Sequence, residues 1–334
     1  MRTFQPPPDS VIDPVTRAPR IGSFRGPLPR VDLAPLGRGP FFRLARRKRW
    51  LWGTVASDEL LAGFAVVDLG YVASAFAYAW HFGERRMLAD RSALGPGFCG
   101  RVGDSAEEGC AARFGCGRSA ARITRAEGSS AYEVEFELRD LRLAARLETR
   151  GAPIPLSAIA ATPPDAVATT QKRVRLGAKG ELAVGDRRFS LDGALGGLDY
   201  SHGYPLRHTR WKWGFALGHA AGGEPFGLNL VEGFVGEPEC AVWVGDELLP
   251  LGEGRFEFDG SDLLAPWRVR TVDGAADLVF EPGGMHREEK NLRLVVSHFV
   301  QVAGRFRGTI ALPGRATLRL DGVPGVTEDQ EMLW

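Results

Sequence analysis

Between Leu191 and Phe215 the sequence LDGALGGLDYSHGYPLRHTRWKWGF sets Asp199, Tyr200 and His202 just ahead of Trp211 and Trp213. A carboxyl held against indole faces suits general-acid chemistry, because desolvation keeps it protonated and the aromatic faces stabilise a developing cation. Asp199 is the expected proton donor, Trp211 and Trp213 the shield, and Arg210 or Tyr200 the group that orients the acid. The same acid could instead form a salt bridge with Arg210. Period-two alternation puts Thr209, Trp211, Trp213 and Phe215 on one strand face and His208, Arg210 and Lys212 on the other.

Asn229 and Glu232 fall on opposite faces of the next strand. Asn229, between Leu228 and Leu230, calls for a buried hydrogen-bond partner, whereas Glu232 suits either edge solvation or ligand contact. With His202, Trp50, Trp52 and Tyr71 they complete the candidate ligand-binding set. The terminal GVTEDQEMLW brings Glu328, Asp329 and Glu331 close to Trp334, as a plug at a barrel end or as a second carboxylate for the site. His286 follows a Pro-Gly-Gly turn and is expected to be exposed; His298 reads as a hydrogen-bonded strand or core histidine. No histidine pair has metal-site spacing, and Cys99, Cys110 and Cys116, taken as free thiols on a Gly-rich surface excursion, lack a fourth ligand. No metal and no cofactor are assigned, and no nucleophile elbow is present.

Positioning such residues falls to strands. AYEVEFELRDL alternates Tyr132, Val134, Phe136 and Leu138 against Glu133, Glu135, Glu137 and Arg139, and YVASAFAYAWHF sets aromatic residues against alanines. Tight-turn signals separate the runs, which indicates antiparallel all-β architecture. RWLWG at Arg49–Gly53 recurs as RWKWG at Arg210–Gly214, and each is followed by a Gly-started apolar strand ending in an acid, a glycine and an aromatic residue. The repeat implies internal duplication of two β-barrel or sandwich units. An extended arm over residues 1–40 would precede units at 41–180 and 181–334. In each unit the two tryptophans, about 7 Å apart on one face, should line the inside of their own barrel. GGLDYSHGY, which carries the carboxylate of Asp199, precedes only the second repeat, so chemistry is expected there.

The 334 residues, 44% hydrophobic, can fill a large core. A net charge of +1 from 42 basic and 41 acidic residues provides no global field for nucleic acid. One local basic cluster, Arg43, Arg46, Arg47, Lys48 and Arg49, reads as a solvated strand entrance or as an anion or lipid-headgroup patch. No apolar run is long enough for a signal-peptide core or a bilayer-spanning helix, and four cysteines make no disulfide scaffold. The expected location is the cytoplasm, and the expected partner a hydrophobic small molecule.

KRW at Lys48–Trp50, VDLGY at Val67–Tyr71, GGLDYSHGY, RHTRWKW, GLNLVEGF and the closing GVTED…W together resemble the bacterial domain of unknown function two-eight-zero-four. The plan is remotely similar to the carotenoid hydratase, tocopherol cyclase and AttH-like group, although their acid-His-Glu-Trp signature has no clear match here. That resemblance implies two calycin-like, lipocalin-related β units, and in the enzymes protonation of a prenylated double bond, a role carried onto Asp199. The expectation is therefore an aromatic cavity for an isoprenoid or lipid-like molecule, with cofactor-independent hydration, cyclisation or isomerisation. A non-catalytic lipid carrier is the alternative. A carbohydrate-active protein pairing Asp199 with Glu232 or Glu328 is another.

Overall fold

In the computed structural model of the chain, residues 2–162, 166–291 and 296–334 are described. The fold is nearly all β, with 62% of residues in strands and 5% in helices. Two antiparallel sheets carry it: a 14-stranded sheet that curls into a nearly closed barrel and a 9-stranded half-barrel.

The alternation seen in the sequence decides which side chains fill the barrel. On the Val72–His81 strand, Ala73, Ala75, Ala77 and Ala79 point into the barrel core. Phe76, Tyr78 and Trp80 point outward into a second core shared with the half-barrel. Small residues inside and large ones outside let the sheet curve tightly while an aromatic layer is buried between the sheets. On Ala131–Leu138, Val134, Phe136 and Leu138 are buried and the intervening glutamates face solvent.

The duplicated segments occupy equivalent places. Arg49–Gly53 lies on the Lys48–Ala56 strand and Arg210–Gly214 on the His208–His219 strand, each antiparallel to the hairpin strand that follows it. The tryptophans, however, do not line the interiors of their own units. Leu51 and Val55 take the interior positions of the first barrel, so Trp50 and Trp52 must point the opposite way, toward the second sheet.

The chain leaves the first sheet at the end of Leu195–Tyr204 and enters the second at His208. The boundary between sheets therefore lies well beyond residue 180. Asp199 stands on a strand of the first sheet, between Lys48–Ala56 and Ala166–Val184, and not in the second unit. The N-terminal arm is extended over most of its length. Its Gly22–Arg25 segment pairs with Leu156–Thr162, and the Arg2 guanidinium donates to the carbonyls of Glu237 and Cys240 in the second half.

Two further expectations change. Pro282-Gly283-Gly284 is not a turn but a bulge within the long Ala276–Asn291 strand, and it leaves His286 buried against Phe76 with Nδ1 2.6 Å from Asp90 Oδ1. The terminal segment is no plug: Leu318–Leu333 is a strand in the middle of the half-barrel. Cys110–Cys116 is likewise a barrel strand and not a surface excursion, with Cys110 buried.

Where the sheets meet, Gly197 is indispensable for shape. A Cβ at this position would lie 2.5 Å from Phe215 and 2.8 Å from Leu217 across the interface. Gly197→Val is expected to destabilise the protein by roughly 1–3 kcal/mol through overpacking. Chemical denaturation would check this, and wild-type stability would mean the sheets can separate at no cost.

Candidate functional site

The outward faces of the two sheets enclose a hollow of about 130 Å³ that opens to solvent. Trp50 and Trp52 approach it from the first sheet, Trp211 and Trp213 from the second. Each tryptophan meets its repeat equivalent: Trp50 stacks on Trp211 with centroids 6.0 Å apart and planes within 8°, and Trp52 meets Trp213 edge-on at 4.9 Å. Phe234 closes against both Trp50 and Trp211, at 6.0 and 5.2 Å. It does so from a left-handed backbone conformation, φ 52°, that costs a bulky side chain energy and is maintained by the surrounding contacts.

Most of the lining is apolar, but Lys172, Asp199, Glu239, Glu288, Glu328 and Gln330 also reach the hollow. Glu328 projects from Leu318–Leu333. Its Oε1 accepts a hydrogen bond from Trp211 Nε1 and its Oε2 one from Gln301 Nε2, both at 2.7 Å. Gln301 has no freedom to flip, because its Oε1 already accepts from Trp52 Nε1 at 2.9 Å and from Tyr78 Oη at 2.7 Å. Burial is the dominant influence on Glu328 and pushes its carboxyl up to about 7 despite the two donors that favour the anion; Asp199 adds to the rise.

Opposite it sits a buried ionic trio. Lys172 Nζ lies 2.6 Å from Asp199 Oδ1 and 3.1 Å from Glu239 Oε2. Burial alone would depress the ammonium pKa, but the two carboxylates outweigh it and hold Lys172 above its ordinary value. Glu239 is raised by burial first, Lys172 pulling the other way. One cation facing two carboxylates leaves the trio a negative charge in excess unless one carboxyl carries a proton. Thr170 Oγ1 and Ser201 Oγ, 3.3 and 3.5 Å away, turn toward Asp199 Oδ1.

The sequence-selected residues thus divide. Asp199, Trp211, Trp213, Trp50 and Trp52 all line the hollow. Asn229 lies just behind it, accepting from Trp213 Nε1 at 2.8 Å and donating to the Glu239 carbonyl at 2.7 Å, so it holds an indole in place. Tyr200 and His202 alternate with Asp199 and Ser201 on their strand and therefore face away from the hollow, with Tyr200 Oη donating to the Gly103 carbonyl at 3.0 Å. His202 lies 3.2 Å from that hydroxyl; burial first, then Arg49 and Arg47, drives its pKa well below the ordinary value, so the ring is neutral.

Arg210 is exposed and pairs with Glu331, far too engaged with solvent to orient Asp199; Lys172 has that position instead. Glu232 pairs with Lys212 at 3.2 Å and accepts from the Phe256 amide, outside the hollow. Tyr71 lies under the Lys48 ammonium, 4.2 Å from ring centroid to nitrogen. His298 is partly exposed, near Glu289 and Asp329.

Lys172, Glu239, Gln301 and Phe234 were not anticipated. Gln301, a lone amide between Val300 and Val302, carries the same signal that marked Asn229. Among the described residues no group of three or more potential ligands could hold a metal ion, and no helix is long and apolar enough to cross a membrane.

The family model for the domain of unknown function DUF2804 matches residues 8–334. The chain belongs to the DUF2804 family. No curated protein matches it significantly. Among solved structures it is similar to an AttH-like protein from Nitrosomonas europaea, at 12% identity and a TM-score of 0.49 over 85% of this chain and 92% of that one. It is also similar to kievitone hydratase from Nectria haematococca, at 12% identity and 0.49 over 87% and 90%. A third is CghA with Sch210972, at 15% identity and 0.46 over 87% and 89%.

Proposed function

We propose that the hollow binds an apolar, isoprenoid or lipid-like small molecule and protonates it, giving hydration, cyclisation or isomerisation without a cofactor. One observation carries the proposal: a carboxyl raised to about 7 projects among four indoles into a mainly apolar hollow, opposite a buried ionic trio. A proton donor works best when its pKa lies near the operating pH.

Glu328 is the proton donor in this reading, and Asp199 its partner. In a hydration, the Glu328 proton goes to one alkene carbon and the electron pair of the double bond forms that C–H bond. The resulting cation lies against the faces of Trp50 and Trp211. Water adds to the cationic carbon and gives its proton to the carboxylate of Asp199, held toward the hollow by Lys172. Trp211 Nε1 and Gln301 Nε2 then stabilise the glutamate anion left behind until exchange with solvent water removes the proton from Asp199 and restores the one on Glu328. If the cation instead loses a proton to Asp199, the double bond has moved; if a second double bond attacks it first, a ring closes and the new cation is quenched by the same proton loss or by water.

Incubating the protein with farnesol or geranylgeraniol in ¹⁸O-water tests this by mass spectrometry. Gain of one ¹⁸O, or an isomer of unchanged mass, is expected from the wild type, with a loss of roughly 10²–10⁴-fold in both Glu328→Gln and Asp199→Asn. Tight binding of these alcohols with no conversion by the wild type would leave a carrier.

A further inference from the structure

An apolar ligand has to reach the hollow from somewhere, and the surface beside its mouth is unusual. Phe98 is 90% exposed and Phe41 83%, while Leu44, Leu94 and Leu206 are also exposed. Leu94 lines the hollow as well, so it marks the rim.

These side chains come from separate segments held together by backbone contacts. Phe41 and Leu44 belong to the short helix Pro40–Arg46, which is anchored by Phe42 packing edge-on against Tyr204 at 5.4 Å. With Phe42 as the inward anchor, the other apolar residues point out. The carbonyl of Leu44 abuts Gly70, whose own carbonyl abuts Gly97, and the Gly97 amide donates to the Tyr71 carbonyl at 3.0 Å. That places the Gly97–Cys99 turn, with Phe98 at its tip, beside the helix. On the other flank, Arg46 donates to the Pro205 carbonyl at 2.8 Å, which places Leu206 and Arg207 alongside. Leu69 and Val72, bracketing the shared loop, line the hollow, as does Trp334, whose amide donates to the Arg207 carbonyl.

Cations surround the apolar tips. Arg43 and Arg207 are exposed, and Arg38, Arg46 and Arg47 are partly so. Exposed apolar side chains flanked by arginines, rimming an apolar cavity, match a surface with negative headgroups above hydrocarbon.

We propose that this face docks on an anionic phospholipid bilayer and opens the hollow toward the membrane interface. The phenylalanines enter the headgroup boundary and the arginines face the anionic lipids, so an apolar molecule can pass between bilayer and hollow without crossing water. The inference rests on the hollow being an apolar-ligand site, and its test separates the two.

Purified protein is sedimented with phosphatidylcholine vesicles containing or lacking phosphatidylglycerol. Wild type is expected to pellet with the anionic vesicles and to be released by added salt. The double variant Phe41→Ser/Phe98→Ser should bind roughly tenfold more weakly or worse. Arg43→Glu/Arg207→Glu should lose the preference for anionic lipid. All four side chains are at the surface, so both variants should keep the wild-type melting temperature. In parallel, uptake of the uncharged dye N-phenyl-1-naphthylamine, counted only as the part that farnesol displaces, reads the hollow and should be unchanged in both variants. Failure to pellet with either vesicle, or undiminished pelleting of the serine variant, overturns docking. Dye uptake without vesicle binding would do so while leaving the ligand site standing.

Discussion

Replacing Lys172 by methionine should destabilise the protein by about 3–5 kcal/mol at pH 7, the usual cost of removing one partner from a buried ionic group. The reason is geometric. Lys172 is the cation within contact of both Asp199 and Glu239, which are buried between the sheets. Without it, two carboxyls face each other in a poorly solvated space, and each must be protonated or hydrated at a cost. The deficit should shrink as pH falls and the carboxyls take up protons. Neutralising them too, in Lys172→Met/Asp199→Asn/Glu239→Gln, should recover most of the loss. Urea denaturation at pH 5 and pH 7 measures both effects. A loss under about 1 kcal/mol would mean that water reaches the trio freely despite its burial between the sheets.

The second large effect concerns Glu328. Its carboxyl is raised in the native state to about 7 from an ordinary 4.5, so the native state binds the proton more tightly than the unfolded chain does. The stability this confers is complete below about pH 4 and is lost as pH rises toward and through 7. A shift of this size corresponds to about 3 kcal/mol. Glu328→Gln should abolish that part of the pH dependence. Glutamine cannot satisfy both Trp211 and Gln301 as the carboxylate does, since one of its atoms is a donor facing a donor. That conflict costs about 1 kcal/mol, so at pH 8 the variant should be about 2 kcal/mol more stable than wild type, and near pH 5 no more stable. Calorimetric melting at the two pH values gives the comparison; an identical slope in both proteins would place the titration elsewhere. Higher stability together with lost turnover is the pattern expected where a group is held in an unfavourable state for its chemistry.

Local alternation was enough to read the strands, the duplication and the aromatic lining, because burial of one face leaves a period of two in the sequence. It could not say which face looks into which space. Leu51 and Trp50 are both apolar and adjacent, and only closure of the first sheet decides that Leu51 fills the barrel and Trp50 the hollow. The same limit hid the site's ionic half. Lys172 pairs cross-strand with Asp199, but they are 27 positions apart on a hairpin whose register the sequence does not state. Glu239 arrives from the short helix Glu237–Glu239, which links two strands of the other sheet. The one carboxylate ahead of the second repeat, Asp199, does line the hollow. Its supposed partners Tyr200 and Arg210 failed on orientation, one facing into the barrel and one into solvent.

Each indole of one repeat touches the corresponding indole of the other across the hollow, which is how two copies of one protein meet along a symmetry axis. A single unit of this kind would have built its pocket only by self-association, with identical walls. Joining two copies in one polypeptide frees the walls to differ, so that Lys172 and Asp199 stand on one wall while Glu239 and the raised acid Glu328 come from the other. No symmetric pair of identical subunits could hold that arrangement.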